Sequence, residues 1–140
     1  MNPVFADTAH WIAINSPADG LHTVAVDVSR RLGSRPILTS QMVLTEFLDG
    51  AATRGAGIRR ETARFARLLE ALPNVRVIPQ TAELFAVALA LYEQRLDKEW
   101  SLTDYASFVI CRQEGIHDVL TYDQHFAQMG LNTLLRTPGS

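Results

Sequence analysis

Five short β-prone runs, kept apart by stretches with helical spacing, restrict this chain to very few folds. The runs are PVFAD (3–7), RPILTS (35–40), NVRVIPQ (74–80), HDVLTYD (117–123) and LNTLLR (131–136). Between them, LHTVAVDVSRRLGS (21–34) spaces Leu21, Val24, Val28 and Leu32 as one helix face, with Gly33 suited to its end. SQMVLTEFLDGAA (40–52) reads as a helix with Ser40 as N-cap. GIRRETARFARLLEALP (57–73) is a helix that Pro73 stops, and TAELFAVALALYEQRL (81–96) is an apolar helix capped by Thr81. SLTDYASFVICRQEG (101–115) ends at Gly115, and QHFAQMG (124–130) is a short helix. Strands that alternate with helices imply right-handed crossovers. The expected fold is α/β, a three-layer α/β/α arrangement around a mostly parallel sheet. The 140 residues show no repeat, low-complexity tract or linker, so a single domain over 1–140 is expected.

In such a sheet, functional groups collect beyond the carboxyl ends of the strands. Asp7 closes the first run and Asp123 closes the fourth, so both should emerge on one edge. Glu46 stands in the apolar context VLTEFL, at the margin of a buried face. Asp104 lies in the first turn of its helix. Each acid also has a local explanation. Asp7 and Asp123 suit helix caps, Asp104 completes a capping-box-like SLTD, and Glu46 suits a solvent-facing helix position. Four such acids in one α/β frame exceed what caps require. Gathered together they would repel one another and raise their pKa values. A divalent cation removes that repulsion, and carboxylates without histidine or cysteine neighbours favour Mg²⁺ or Mn²⁺ over zinc.

Composition narrows the partners. The formal net charge is −2, so binding of a polyanion must come from local basic patches or bound cations. Arg60, Arg64 and Arg67 share a helix face that either tracks phosphates or is a solvated face paired with Glu61 and Glu70. Arg112, eight residues after Asp104, is a further candidate phosphate contact. The one cysteine, Cys111, excludes an internal disulfide and reads as a buried small residue. Trp11 and Trp100 read as core or interface residues, His125 as a partly buried residue beside a cap, and LDKEW (96–100) as a solvated turn. No signal-peptide pattern opens the chain, and its longest apolar run, FAVALALY from Phe85, is too short to span a bilayer. A cytoplasmic protein with no membrane association is expected. A phosphatase of the haloacid-dehalogenase type needs a second aspartate where Ala9 stands. A phosphotransfer receiver needs a late lysine in a setting that Lys98 lacks.

FADTAHW, TEF, SLTDYASF and LTYDQHF together resemble the four motifs of a PIN domain, in that family's order and at its usual separations. The resemblance runs from Asp7 to the final strand, and the short architecture is similar to the VapC-type toxins of toxin–antitoxin pairs. It implies a Mg²⁺- or Mn²⁺-dependent ribonuclease that usually forms a homodimer and is bound by an antitoxin near its active site. By position it implies Asp7, Glu46, Asp104 and Asp123 as the acidic quartet, with Asp7, Asp104 and Asp123 as the metal-holding set. It also implies Thr8 and Thr121 as hydroxyl residues that orient the carboxylates. The alternatives are a solitary RNA-processing nuclease and a non-catalytic PIN-like adaptor for RNA or protein. An adaptor has no use for clustered carboxylates.

Overall fold

The computed structural model describes residues 1–136. Its five strands are β1 (Val4–Ala6), β2 (Ile37–Ser40), β3 (Val75–Ile78), β4 (Asp118–Leu120) and β5 (Asn132–Thr133). They form one sheet in the order β3-β2-β1-β4-β5, and every pairing is parallel. The sheet is thus wholly parallel where a mostly parallel one was expected. Val4, Phe5 and Ala6 of β1, with Val119 and Leu120 of β4, have no solvent exposure. Central strands of a parallel sheet are covered on both faces, which is why these runs are apolar at every position rather than alternating.

Seven helices surround the sheet: α1 (Thr8–Asn15), α2 (His22–Leu32), α3 (Gln41–Ala51), α4 (Ala56–Ala71), α5 (Ala82–Gln94), α6 (Leu102–Glu114) and α7 (Gln124–Gln128). Helix α6 is buried without interruption from Thr103 to Cys111, beneath α5. The Ser40 and Thr81 hydroxyls accept from the backbone N–H groups of Val43 and Leu84, as N-caps do. Gly115 ends α6 in the left-handed region, at φ 66°, a conformation that a residue with a Cβ resists.

All five strands are shorter than the runs that predicted them, and the two largest losses have visible causes. β4 stops at Leu120 rather than at residue 123. The Thr121 N–H turns back to the Val119 carbonyl (3.0 Å), and the Thr121 hydroxyl accepts from the Asp123 N–H (3.1 Å), so the chain leaves the sheet there. β5 keeps only Asn132 and Thr133, because Leu134 and Leu135 bond back to the Val119 and Thr121 carbonyls outside regular pairing. Helix α1 follows β1 at once, and Trp11 ties it down. The Trp11 indole N–H donates to the Thr39 hydroxyl (3.1 Å), which donates to the Ala6 carbonyl (2.9 Å). Trp11 and Trp100 are both buried, 4% and 5% exposed, as core residues.

The chain builds outward from β1 through β2 to β3, then crosses back to lay β4 on the other side of β1. The sheet order therefore reverses between β1 and β4. In an open parallel sheet that crevice, at the carboxyl ends of the strands, is where ligands bind.

Candidate active site

Asp7 and Asp123 both emerge at that crevice. β1 and β4 are in register with Ala6 beside Leu120, and the Asp7 N–H continues the pairing to the Leu120 carbonyl (3.3 Å). The Thr121 hydroxyl donates to Asp7 Oδ2 (3.1 Å), across 114 residues of sequence. The Thr121 hydroxyl oxygen in turn accepts from the Asp123 N–H, so Thr121 links the two strand-end acids. On the β2 side, the Thr8 hydroxyl donates to Glu46 Oε1 at 2.6 Å, which draws the α3 acid to the start of α1. Glu46 is half-buried, between a wet face and the buried Val43, Leu44 and Phe47. Asp104 is buried at the N-terminus of α6.

The capping explanation holds for two of the acids and fails for a third. Asp104 completes a capping box: its Oδ2 accepts from the Ser101 N–H (3.1 Å) while the Ser101 hydroxyl accepts from the Asp104 N–H (3.0 Å). Asp123 Oδ1 accepts from the His125 N–H (2.9 Å) and caps α7. Asp7 occupies the N-cap position of α1, yet its carboxylate makes no capping bond. A buried carboxylate that does not cap its helix is otherwise unexplained by the fold.

The electrostatics single out the same residue. Burial above all, joined by the charges of Asp104 and Glu46 and opposed by the Thr8 backbone amide and the Thr121 hydroxyl, raises the Asp7 carboxyl to about 7. Among the described residues no lysine or arginine pairs with Asp7, Glu46, Asp104 or Asp123. Asp7 thus feels the charges of Asp104 and Glu46 with no fixed cation beside them. The donor set is rich in oxygen and holds no thiolate: burial, with the Asp7 charge, pushes the Cys111 thiol up to about 12. These residues fit a hard divalent ion.

His125, read from the sequence as a partly buried residue beside the Asp123 cap, also reaches Asp104. His125 Nδ1 lies 3.1 Å from Asp104 Oδ2 and 3.3 Å from Asp123 Oδ1. One atom from each of Asp104, Asp123 and His125 falls within 4.8 Å of the others. The sequence holds the signal in hindsight: a residue two past an N-cap acid sits on the first turn, beside the cap. The basic candidates are not drawn in. Arg112 stands on the last turn of α6, about 12 Å along the axis from Asp104 at 1.5 Å per residue. Arg60 and Arg64 lie on the exposed face of α4, and Arg64 pairs with Glu61 (3.2 Å). Asp97 is engaged with Arg95 (3.2 Å) in an exposed turn.

A model of the PIN domain matches residues 4–131. The chain belongs to the PIN-domain family. It is 31% identical over 129 residues to the 23S rRNA-specific endonuclease VapC20 of Mycobacterium tuberculosis, covering 91% of this chain and 94% of that protein. It is also similar to the crystal structure of VapC20, described as a Sarcin-Ricin loop cleaving toxin. That match has a TM-score of 0.83 at 27% identity and covers 95% of this chain and 99% of the other. The structure of FitAcB from Neisseria gonorrhoeae shares the fold, with a TM-score of 0.68 at 17% identity over 94% of this chain and 96% of that one.

The Thr121 hydroxyl favours the ionised form of Asp7. Thr121→Val removes that donor, so Asp7 should titrate above about 7. The acid limb of a pH–rate profile for RNA cleavage should move to higher pH. A limb unmoved by the substitution would mean that Asp7 does not govern it.

Proposed function

We propose that this PIN-domain chain is a divalent-cation-dependent endoribonuclease, the toxin of a toxin–antitoxin pair. The observation that carries this reading is the convergence of Asp7, Glu46, Asp104 and Asp123 from four separate segments on one crevice without a chain cation. Asp7, Asp104 and Asp123 would hold Mg²⁺ or Mn²⁺. A bound ion of this kind lowers the pKa of water and offsets charge on phosphoryl oxygens. Glu46, held by the Thr8 hydroxyl, takes the place of the group that orients the attacking water and receives its proton. Thr121 keeps Asp7 aligned and Thr8 keeps Glu46 aligned. No step needs a 2′-hydroxyl as nucleophile; water would form the new P–O bond in line with the P–O3′ bond that breaks, and, as the resemblance to PIN domains implies, the products would be a 5′-phosphate and a 3′-hydroxyl.

The similarity to VapC20 supports ribosomal RNA as the substrate to test first, and its description as a toxin supports an antitoxin as partner; we read the setting as cytoplasmic. We read residues 1–140 as one nuclease domain that assembles as a homodimer. No helix of the described residues is long and apolar enough to cross a membrane. The test is incubation of the purified chain with a 23S rRNA fragment and Mn²⁺. A discrete internal cut that EDTA prevents is expected. Intact RNA across ribosomal, transfer and messenger substrates would reject the reading.

A further inference from the structure

We infer that His125 is a positioning residue that locks Asp104 and Asp123 from behind, through an N–H at Nδ1. The inference rests on the cation-binding reading of the site above. Its basis is which oxygen of each acid the ring meets. Asp104 Oδ2 already accepts from the Ser101 N–H, and His125 Nδ1 approaches that same oxygen at 3.1 Å. Asp123 Oδ1 already accepts from the His125 N–H, and Nδ1 approaches that same oxygen at 3.3 Å. Nδ1 therefore hydrogen-bonds Asp104 Oδ2 and stands beside Asp123 Oδ1, which the His125 backbone N–H already holds; a nitrogen facing two carboxylate oxygens is a donor.

The opposite oxygens, Asp104 Oδ1 and Asp123 Oδ2, accept no hydrogen bond from the described residues. They are the ones left to meet an ion. Nδ1 thus belongs to the layer that orients ligands, not to the ligands themselves. The ring is also held in place. Trp100 packs on it with centroids 5.9 Å apart and is itself buried. Trp100 and Ser101 are consecutive, so one turn of chain fixes both donors to Asp104, the Ser101 N–H directly and the imidazole through packing. The acids of α6 and of the β4–α7 turn are thereby tied together by one residue, Asp104 through the His125 ring and Asp123 through its backbone N–H.

Three substitutions separate donation from packing and from ligation. His125→Asn puts an amide nitrogen where Nδ1 stands, His125→Phe keeps the ring on Trp100 without a donor, and His125→Ala removes both. Mn²⁺ affinity is read by calorimetry, and thermal stability is read without ion to show that each variant folds. Affinity should fall about 10- to 100-fold in His125→Phe and His125→Ala, the range for losing an outer-shell partner, and stay within about threefold of wild type in His125→Asn. Wild-type affinity in His125→Phe would mean that the ring only packs, and the inference falls. Equal losses in His125→Asn and His125→Phe would make the nitrogen a ligand, and it falls again. Wild-type protein that takes up no Mn²⁺ overturns the cation reading itself, and this inference with it.

Discussion

Asp7→Asn is expected to lose RNA cleavage by more than about 100-fold, beyond the loss typical of an outer-shell change, and yet to be more stable than wild type at pH 8 without ion. The two effects have one cause. Folding buries the Asp7 carboxyl and raises it from 3.8 to about 7. A raised carboxyl lends its stability fully below pH 3.8, and that stability is lost as pH climbs through about 7. Above that point the ion-free fold bears the cost of a buried charge, at most about 4 kcal/mol at 1.36 kcal/mol per pKa unit. Asparagine carries no charge to bury. Urea unfolding of both proteins should show the gap at pH 8 and none near pH 4. His10 supplies an internal reference. Burial lowers it to about 4, so it withdraws stability as pH falls from 6.5, equally in both proteins. A variant no more stable than wild type at pH 8 would mean that the Asp7 charge is already compensated.

Glu46→Gln should separate binding from chemistry. If Glu46 receives a proton from water, its loss should lower kcat by about 10²- to 10⁴-fold, the usual range for a general base. Mn²⁺ affinity should change only a few-fold, since Glu46 stands on the Thr8 side of the site while Asp104 and Asp123 meet at His125. Thr8→Val should reproduce part of the kcat loss by releasing Glu46, and Thr8→Ser should restore it. A Glu46→Gln variant that loses Mn²⁺ binding as completely as Asp7→Asn would place Glu46 among the ligands instead.

The strand–helix alternation and the two strand-end acids were legible because both are local. Apolar runs mark buried parallel strands, and an acid just past each run lands on the carboxyl edge whatever the connections do. Glu46 was legible from its apolar neighbours. What stayed hidden depends on pairs distant in sequence. Thr121 and Asp7 are 114 residues apart, and no periodicity announces that one will donate to the other. The resemblance named Thr121 as an orienting hydroxyl, but its second bond, to the Asp123 N–H, appears only once β4 ends early. His125 was read as a residue beside a cap, which it is. Its contact with Asp104 arises because α6 begins where α7 begins, a fact of packing rather than of either segment. Arg112 shows the opposite limit. Helical spacing aligned it with Asp104 on one face, but the length of α6 carries it away from the crevice.

The buried, mostly protonated carboxyl at the end of β1 should become an anion when a divalent ion arrives. Calorimetric titration with Mn²⁺ at pH 6, repeated in buffers of different ionisation enthalpy, counts the protons that binding releases. Wild-type protein should release about one proton per ion, from Asp7 with its carboxyl near 7, and Asp7→Asn should release almost none. Binding without proton release, or equal release from both proteins, would contradict it.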